Sequence, residues 1–506
     1  MIDQTDTPTI TTDIAIIGSG MGGGTLAYAL RDRGAKVLIL ERGGYLPREP
    51  ENWSPREIFL AKRYRTTDPF LDGSGKPFRP SIYHVVGGCT KVYGAALPRF
   101  RREDFGALES EDGVSPAWPV DYDELEPYYA EAERLFRVHG TAGSDPIEAS
   151  RSTPFPYPAV PHEPVIADIA DSFERQGLRP FPLPLGIDLR EGGTCIRCKT
   201  CDGFPCQVLA KSDAEVCVTT PALRSPDVSM MTGAHAIALR TDPTGRRITG
   251  LEVDLDGARR TIIASTYVLA AGAINSAALL LRSTSDQHPN GLSNSTGLVG
   301  RNYMAHVNSA LMAIRPKTNG TVFQKTLALN DWYFGESNSR VGIGHAQLLG
   351  KLQAEMLQGA VPLVPNRILA ELAGRSVDWY LMTEDLPDPE NRVSLDSAGR
   401  VIVNFRPNNL RLHKRLVSTM AKAMRRAGYP MIQTRRFGLD ATAHQCGTVR
   451  FGDDPATSVL DPLCRSHDVA NLFVMDASFL PSSSAQNPAL TVAAQALRVG
   501  AKAVFN

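Results

Sequence analysis

The chain has 506 residues, which at about 150 residues per domain allows several domains and a large buried core. Lys plus Arg and Asp plus Glu are both 54, so the balanced charge argues against a nucleic-acid partner or a polybasic membrane surface. A hydrophobic content of 42% with 21% charged residues excludes a disordered chain, and 43 Gly with 36 Pro but no G-X-Y period fits a loop-rich globular protein, not collagen.

The opening MIDQTDTPTITTD is polar and acidic and the first basic residue is Arg31. A signal segment needs early positive charge followed by an apolar stretch, so a cytoplasmic protein is expected. Residues 13–41 then read DIAIIGSGMGGGTLAYALRDRGAKVLILE. A short apolar run suggests a buried parallel strand, Gly18, Gly20 and Gly23 form G-x-G-x-x-G, residues 24–33 are helical in character, and a second apolar strand ends in Glu41. In this order the glycines permit a tight turn, a close approach of a pyrophosphate to backbone and helix–strand packing, and the acid about twenty residues on can accept from ribose hydroxyls. A dinucleotide site is therefore expected; the motif alone does not separate NAD from FAD.

Residues 84–100, HVVGGCTKVYGAALPRF, mark with Gly87, Gly88 and Gly94 a second place where backbone comes close to something. The proline-rich stretch 144–188 reads as an extended crossing. Next, Cys195, Cys198, Cys201 and Cys206 read C-x2-C-x2-C-x4-C, one residue off a ferredoxin spacing. An iron–sulfur cluster, structural zinc, and thiols or a disulfide are all open readings here. Residues 228–270 show strand patterning around a turn at 242–245, followed by a strand, turn and helix. The apolar run 267–281 is broken by Asn275 and Ser276 and falls short of the ~20 residues of a membrane span. Residues 311–438 alternate strands with isolated aromatics and one amphipathic helix near 408–427, the texture of a substrate domain, and 470–503 return to strand–loop–helix.

Six motifs in this order resemble the glucose–methanol–choline (GMC) oxidoreductases, FAD-dependent alcohol oxidases and dehydrogenases. They are GSGMGGG at 18–24, GGCTKVYG at 87–94, GAINSAALLL at 272–281, GLVGRNYMAH at 297–306, HQCGTVRFG at 444–452, and NLFVMDASFLP with NPALT near the end. GAALPRFR, CDGFPC and TEDLPDPENRV are similar to the bacterial branch that oxidises sugars, glycosides and aminoglycosides. The resemblance implies an α/β fold in which a Rossmann-like FAD-binding domain is discontinuous in sequence (1–105, 205–305, 440–506). An α+β substrate domain on an antiparallel sheet, with the interdomain crossing, would fill 106–204 and 306–439.

The resemblance also implies residue roles. Gly18, Ser19, Gly20, Met21, Gly22 and Gly23 would serve the pyrophosphate, Glu41 the adenosine ribose and Ala236 the adenine. Gly88, Tyr93, Gly94 and Ala95 would run along the flavin. Asp476 and Ala477 would lie near the pyrophosphate and ribityl chain, and Pro488 and Thr491 would open a helix aimed at the flavin pyrimidine edge. Val92 stands where some relatives carry a flavin-linking His, so FAD is expected to be non-covalent. His444 would be the base and Asn487, 43 positions later, would hydrogen-bond the developing alkoxide. Glu384 would face the substrate, while His306 reads as structural. The partner is then a small-molecule alcohol, with oxygen, a quinone or a protein as electron acceptor. An NAD(P)H-linked flavin reductase lacks a second dinucleotide motif after residue 41. An electron-relay subunit sits poorly with His444 and Asn487 both in place. A non-sugar alcohol such as a sterol or choline-like compound stays open.

Overall fold

The structure is a computed structural model that describes residues 8–335 and 341–505. The beginning of the polar N-terminal stretch lies outside the described residues. The glycine motif sits where its spacing predicts. β1 (Thr9–Ile17) and β2 (Val37–Leu40) pair in parallel, and α1 (Met21–Leu30) crosses between them. All four residues of β2 and the last four of β1 are buried, which is why both strands read as unbroken apolar runs.

The remaining elements used below are, in chain order, α2 (Tyr122–Leu135), α3 (Pro164–Arg175), β3 (Phe181–Pro182), β4 (Val228–Met231), β5 (Ala234–Thr241), β6 (Ile248–Leu255), β7 (Ala258–Leu269) and α4 (Ala273–Arg282). They continue with β8 (Val307–Ile314), β9 (Leu327–Leu329), β10 (His345–Leu348), β11 (Ser376–Thr383), α5 (Leu410–Arg426), β12 (Met431–Arg436), β13 (Leu472–Val474) and α6 (Ala489–Lys502).

One sheet runs β4-β2-β1-β7-β6-β5. β4, β2, β1 and β7 are parallel neighbours, whereas β5, β6 and β7 form an antiparallel meander. β7 is long enough to serve two partners on its outer edge: its first half pairs with β6, and residues 267–269 pair in parallel with β13. This second pairing brings the C-terminal segment back beside the glycine turn, although some 450 residues separate them in the chain. The other large sheet runs β12-β8-β11-β10-β9-β3 and is antiparallel throughout. α3 and α5 cover it, burying Ile166, Ile169, Phe173, Leu412, Leu416 and Met420 against Leu311, Val377, Trp379 and Leu381. The architecture is thus a Rossmann-like α/β unit joined to an antiparallel sheet with helices on it.

The proline-rich crossing departs from expectation, because it contains α3. Pro164 occupies the first helical position, where a missing N–H costs nothing, and Ile166, Ile169 and Phe173 repeat at helical spacing on the buried face. The density of prolines around it masks that periodicity in the sequence.

Candidate functional site

The cradle at the end of β1 is built by glycine. An added Cβ at Gly18, Gly22 or Gly23 would come within 2.3, 1.9 and 2.1 Å of the carbonyl oxygens of Ala270, Met475 and Gly18. These three are therefore packing glycines. A Cβ at Gly20 would meet nothing within 4 Å, so that position faces open space beside the uncapped N-terminus of α1. Met21 begins the helix and is buried. An anion held by first-turn N–H groups fits this arrangement. Glu41, at the end of β2, is 5% exposed; its Oε2 accepts from Ser19 N (3.1 Å) and Ser19 Oγ (2.6 Å), and its Oε1 from Gly43 N (3.1 Å). Burial raises its pKa, against the pull of those donors. Ala236 lies on β5 at a bulge, where pairing with β6 jumps from 236 to 238, so backbone there is free of the regular ladder.

The second glycine strip meets the first. Ser19 Oγ accepts from Gly87 N (3.0 Å), and a Cβ at Gly88 would be 3.3 Å from Gly20 Cα. Beyond it, Val92 is buried, the Tyr93 hydroxyl donates to the Ser212 carbonyl, and Gly94 leaves room for the Asp202 carboxylate and the Lys325 ammonium. Ala95 is fully buried in a left-handed conformation (φ 53°). Asp476 follows β13; its Oδ2 accepts from Gly272 N (2.9 Å) and Ser276 Oγ, and its Oδ1 from Ser478 N (2.9 Å) and Ser478 Oγ (2.6 Å). The Ala477 carbonyl accepts from Gly447 N (3.2 Å), which ties the His444 segment to this loop. Pro488 is the residue before α6, already helical in φ and ψ, one position earlier than a first-turn proline, and no side chain caps the helix. The Thr491 hydroxyl pairs with Tyr129 OH at 2.7 Å, so that side chain turns toward α2.

His444 and Asn487 come together: Asn487 Nδ2 lies 3.3 Å from His444 Nε2, while Asn487 Oδ1 is buried and has no partner among the described residues. His444 is half-buried beside Tyr380, with ring centroids 6.1 Å apart. Desolvation, and then the neighbouring His306, holds its pKa well below the ordinary 6.5. His306 Nδ1 lies 3.0 Å from His444 Nδ1, so the residue read as structural in the sequence touches the proposed base directly.

The loop 482–487 that carries Asn487 is strapped from several sides. Trp118 Nε1 donates to Ser482 Oγ (2.8 Å), Ser483 Oγ to Asp385 Oδ1 (2.9 Å), and Ala485 N to Tyr333 OH (3.2 Å). Glu384 Oε1 accepts from Ser115 Oγ (2.7 Å) and Ser484 N (3.2 Å). Desolvation pushes the Glu384 carboxyl up to about 8, with Asp104 and Asp385 adding to the rise. A carboxyl whose proton is held to about 8 when folded but near 4.5 when unfolded stabilises the fold fully below pH 4.5 and loses that contribution as pH rises through 8. The Tm advantage of the wild type over Glu384→Gln should therefore shrink from pH 5 to pH 8 in thermal scans; parallel Tm–pH curves would contradict it.

Of the readings left open for the four cysteines, the structure favours thiols over a cluster or zinc. Cys195, Cys198, Cys201 and Cys206 are all free thiols, and among the described residues no group of three or more His, Cys, Asp or Glu could hold a metal ion. The loop folds instead around an ammonium: Lys211 Nζ donates to the carbonyls of Cys201 (2.7 Å) and Phe204 (2.6 Å), with Lys325 paired to Asp202 alongside.

Residues 80–308 and 387–496 match two family models described as GMC oxidoreductase, and residues 16–46 match an NAD(P)-binding Rossmann-like domain. The chain is 31% identical to paromamine 6'-oxidase of Streptomyces fradiae over 97% of this chain and 91% of that one. It is also 31% identical to 6'''-hydroxyparomomycin C oxidase of Streptomyces lividus, over 96% and 90%. Among solved structures, pyridoxine 4-oxidase from Mesorbium loti superposes with a TM-score of 0.67 at 20% identity, covering 97% of this chain and 99% of that chain. Among the described residues no helix is long and apolar enough to cross a membrane.

Proposed function

The chain belongs to the GMC oxidoreductase family, FAD-dependent enzymes acting on CH–OH donors, and from that premise we propose that it oxidises a sugar, glycoside or aminoglycoside alcohol to the carbonyl with His444 as general base. The observation that carries this reading is the contact of Asn487 with His444 Nε2, placed at the mouth of α6 and tied through Ala477 to the glycine cradle.

The residues present fit FAD. Gly20 offers an open approach to a pyrophosphate, and Glu41, at the end of the second strand, is suited to accept from a ribose hydroxyl. Gly18, Gly22 and Gly23 would shape that approach by their packing, and Ser19, Gly88, Asp476 and Ala477 would lie beside it. When bound, FAD supplies the acceptor for the hydride from the carbinol carbon. The chain's own part is to receive the hydroxyl proton on His444 Nε2 and to hold the developing alkoxide with the Asn487 amide. Glu384, whose Oε2 has no protein donor among the described residues, is suited to a substrate hydroxyl or ammonium group. The sugar class is supported by the two aminoglycoside-oxidising relatives, and Val92 supports a flavin held without a covalent link.

Acid precipitation should therefore release the yellow chromophore into the supernatant. Oxygen-uptake and dye-reduction assays with paromamine, D-glucose and methyl β-D-glucoside should show turnover and name the acceptor class. Turnover of sterols or choline with none of these sugars would sink the substrate class.

A further inference from the structure

His306 has four features that packing alone does not require. It is 3% exposed, its backbone is left-handed (φ 60°), its Nε2 lies 2.9 Å from the Ser483 carbonyl, and its Nδ1 faces His444 Nδ1. A non-glycine residue in that conformation is strained and persists only where its surroundings hold it. Asp385 does the holding: its two oxygens accept from Ala305 N (2.8 Å) and His306 N (2.9 Å), and Oδ1 also accepts from Ser483 Oγ. Every group on those oxygens is a donor, which favours the ionised carboxylate against the upward pull of burial on its pKa.

The protons follow from the acceptors. A carbonyl only accepts, so His306 Nε2 carries a proton and, in the neutral ring, His306 Nδ1 is bare. A 3.0 Å contact to a bare nitrogen requires His444 Nδ1 to donate. His444 Nε2 is then bare and faces the Asn487 amide.

We propose that His306 is a positioning residue that fixes His444 in its base-competent tautomer and then takes over its proton, with Asp385 as the counter-charge. The proposal rests on His444 being the base. The substrate O–H proton bonds to His444 Nε2 while the bridging proton moves from His444 Nδ1 to His306 Nδ1. As the C=O forms, the carbinol C–H electron pair would leave as hydride to FAD, which supplies that acceptor when bound. Positive charge then resides on His306, donating to Ser483 O on one side and His444 on the other, beside Asp385. The other titratable groups around the pair are Glu384, Cys446, His345 and Tyr380. His345 is held neutral by burial, and Cys446 keeps its proton for the same reason. Burial also lowers the His306 pKa, and the Asp385 charge and the Ser483 carbonyl oppose that fall, so Asp385 is the charge that supports a proton on His306.

Asparagine tests this cleanly. It tolerates the left-handed backbone and places an Oδ1 acceptor where His306 Nδ1 stands, but it cannot take a proton. In holoenzyme labelled with 15N-histidine, wild type and His306→Asn should both show His444 with Nδ1 protonated and Nε2 bare, and His306→Ala should lose that signature. Anaerobic flavin reduction by paromamine should fall about 10²-fold in His306→Ala, mainly in kcat, and about tenfold in His306→Asn, with a shifted pH profile. Equal losses in the two variants with unchanged His444 nitrogen signals would mean a structural role and overturn the inference, as would wild-type rates in His306→Ala. His444→Ala is the control: a wild-type rate there would remove the base reading and this inference with it. A slow His444→Ala beside a wild-type His306→Ala would overturn this inference alone.

Discussion

His444→Ala should fold, bind FAD and reduce it about 10²–10⁴-fold more slowly than wild type, the usual cost of losing a general base. Folding should survive because His444 is half-buried and neither the glycine cradle nor Glu41 depends on its side chain. Asn487→Ala should cost about 10² or less, one hydrogen bond to the alkoxide, and the double variant should be non-additive because both groups act on one oxygen. The wild-type kcat/KM should fall on the acid side as the base protonates. Since desolvation and His306 lower the His444 pKa, that limb should lie below the ordinary 6.5. Stopped-flow flavin bleaching across pH checks both statements; an acid limb above 6.5, or a wild-type rate in His444→Ala, would contradict them.

The second large effect separates two kinds of glycine in one motif. Gly20 has φ −70°, which any residue adopts, and open space where a side chain would point. Gly20→Val should therefore fold with near wild-type Tm yet lose FAD. Overpacking against a pyrophosphate costs about 1–3 kcal/mol, and each lost charge-assisted hydrogen bond about 1.5–3 kcal/mol. Together these come to ~4 kcal/mol, or ~10³-fold in Kd. Gly22→Ala is the opposite case: its Cβ would sit 1.9 Å from the Met475 carbonyl oxygen, on the strand-end loop that carries Asp476. That variant should lose about 3 kcal/mol or more of stability, with or without flavin. Calorimetry and flavin absorbance on the two proteins distinguish them. A yellow Gly20→Val with wild-type affinity would show that the pyrophosphate lies elsewhere.

Much of the frame was legible because it rests on local rules. The spacing of Gly18, Gly20 and Gly23 between two apolar runs dictates β1–α1–β2, and the end of β2 dictates where Glu41 stands. Three things were not legible. α3 hides its Ile166–Ile169–Phe173 face inside a proline-dense stretch that reads as extended. The cysteine spacing leaves cluster, zinc and thiols open, because spacing says nothing of the Lys211 ammonium that the loop closes around, a contact made by backbone carbonyls. His306 lies 138 residues from His444, and no periodicity links them; only the folded chain joins their Nδ1 atoms. The motif NYMAH places a His beside an Ala, and what makes it more than a packed ring is the left-handed backbone and the Asp385 clamp.

The most direct test of the account is anaerobic single turnover of the purified holoenzyme with paromamine or D-glucose, following the flavin band and the carbonyl product together. Bleaching should accompany about one carbonyl formed per flavin, with the same end point reached far more slowly by His444→Ala. Bleaching by NADH or NADPH, with no carbonyl formed from any alcohol, would make the protein a flavin reductase and contradict the base mechanism at its root.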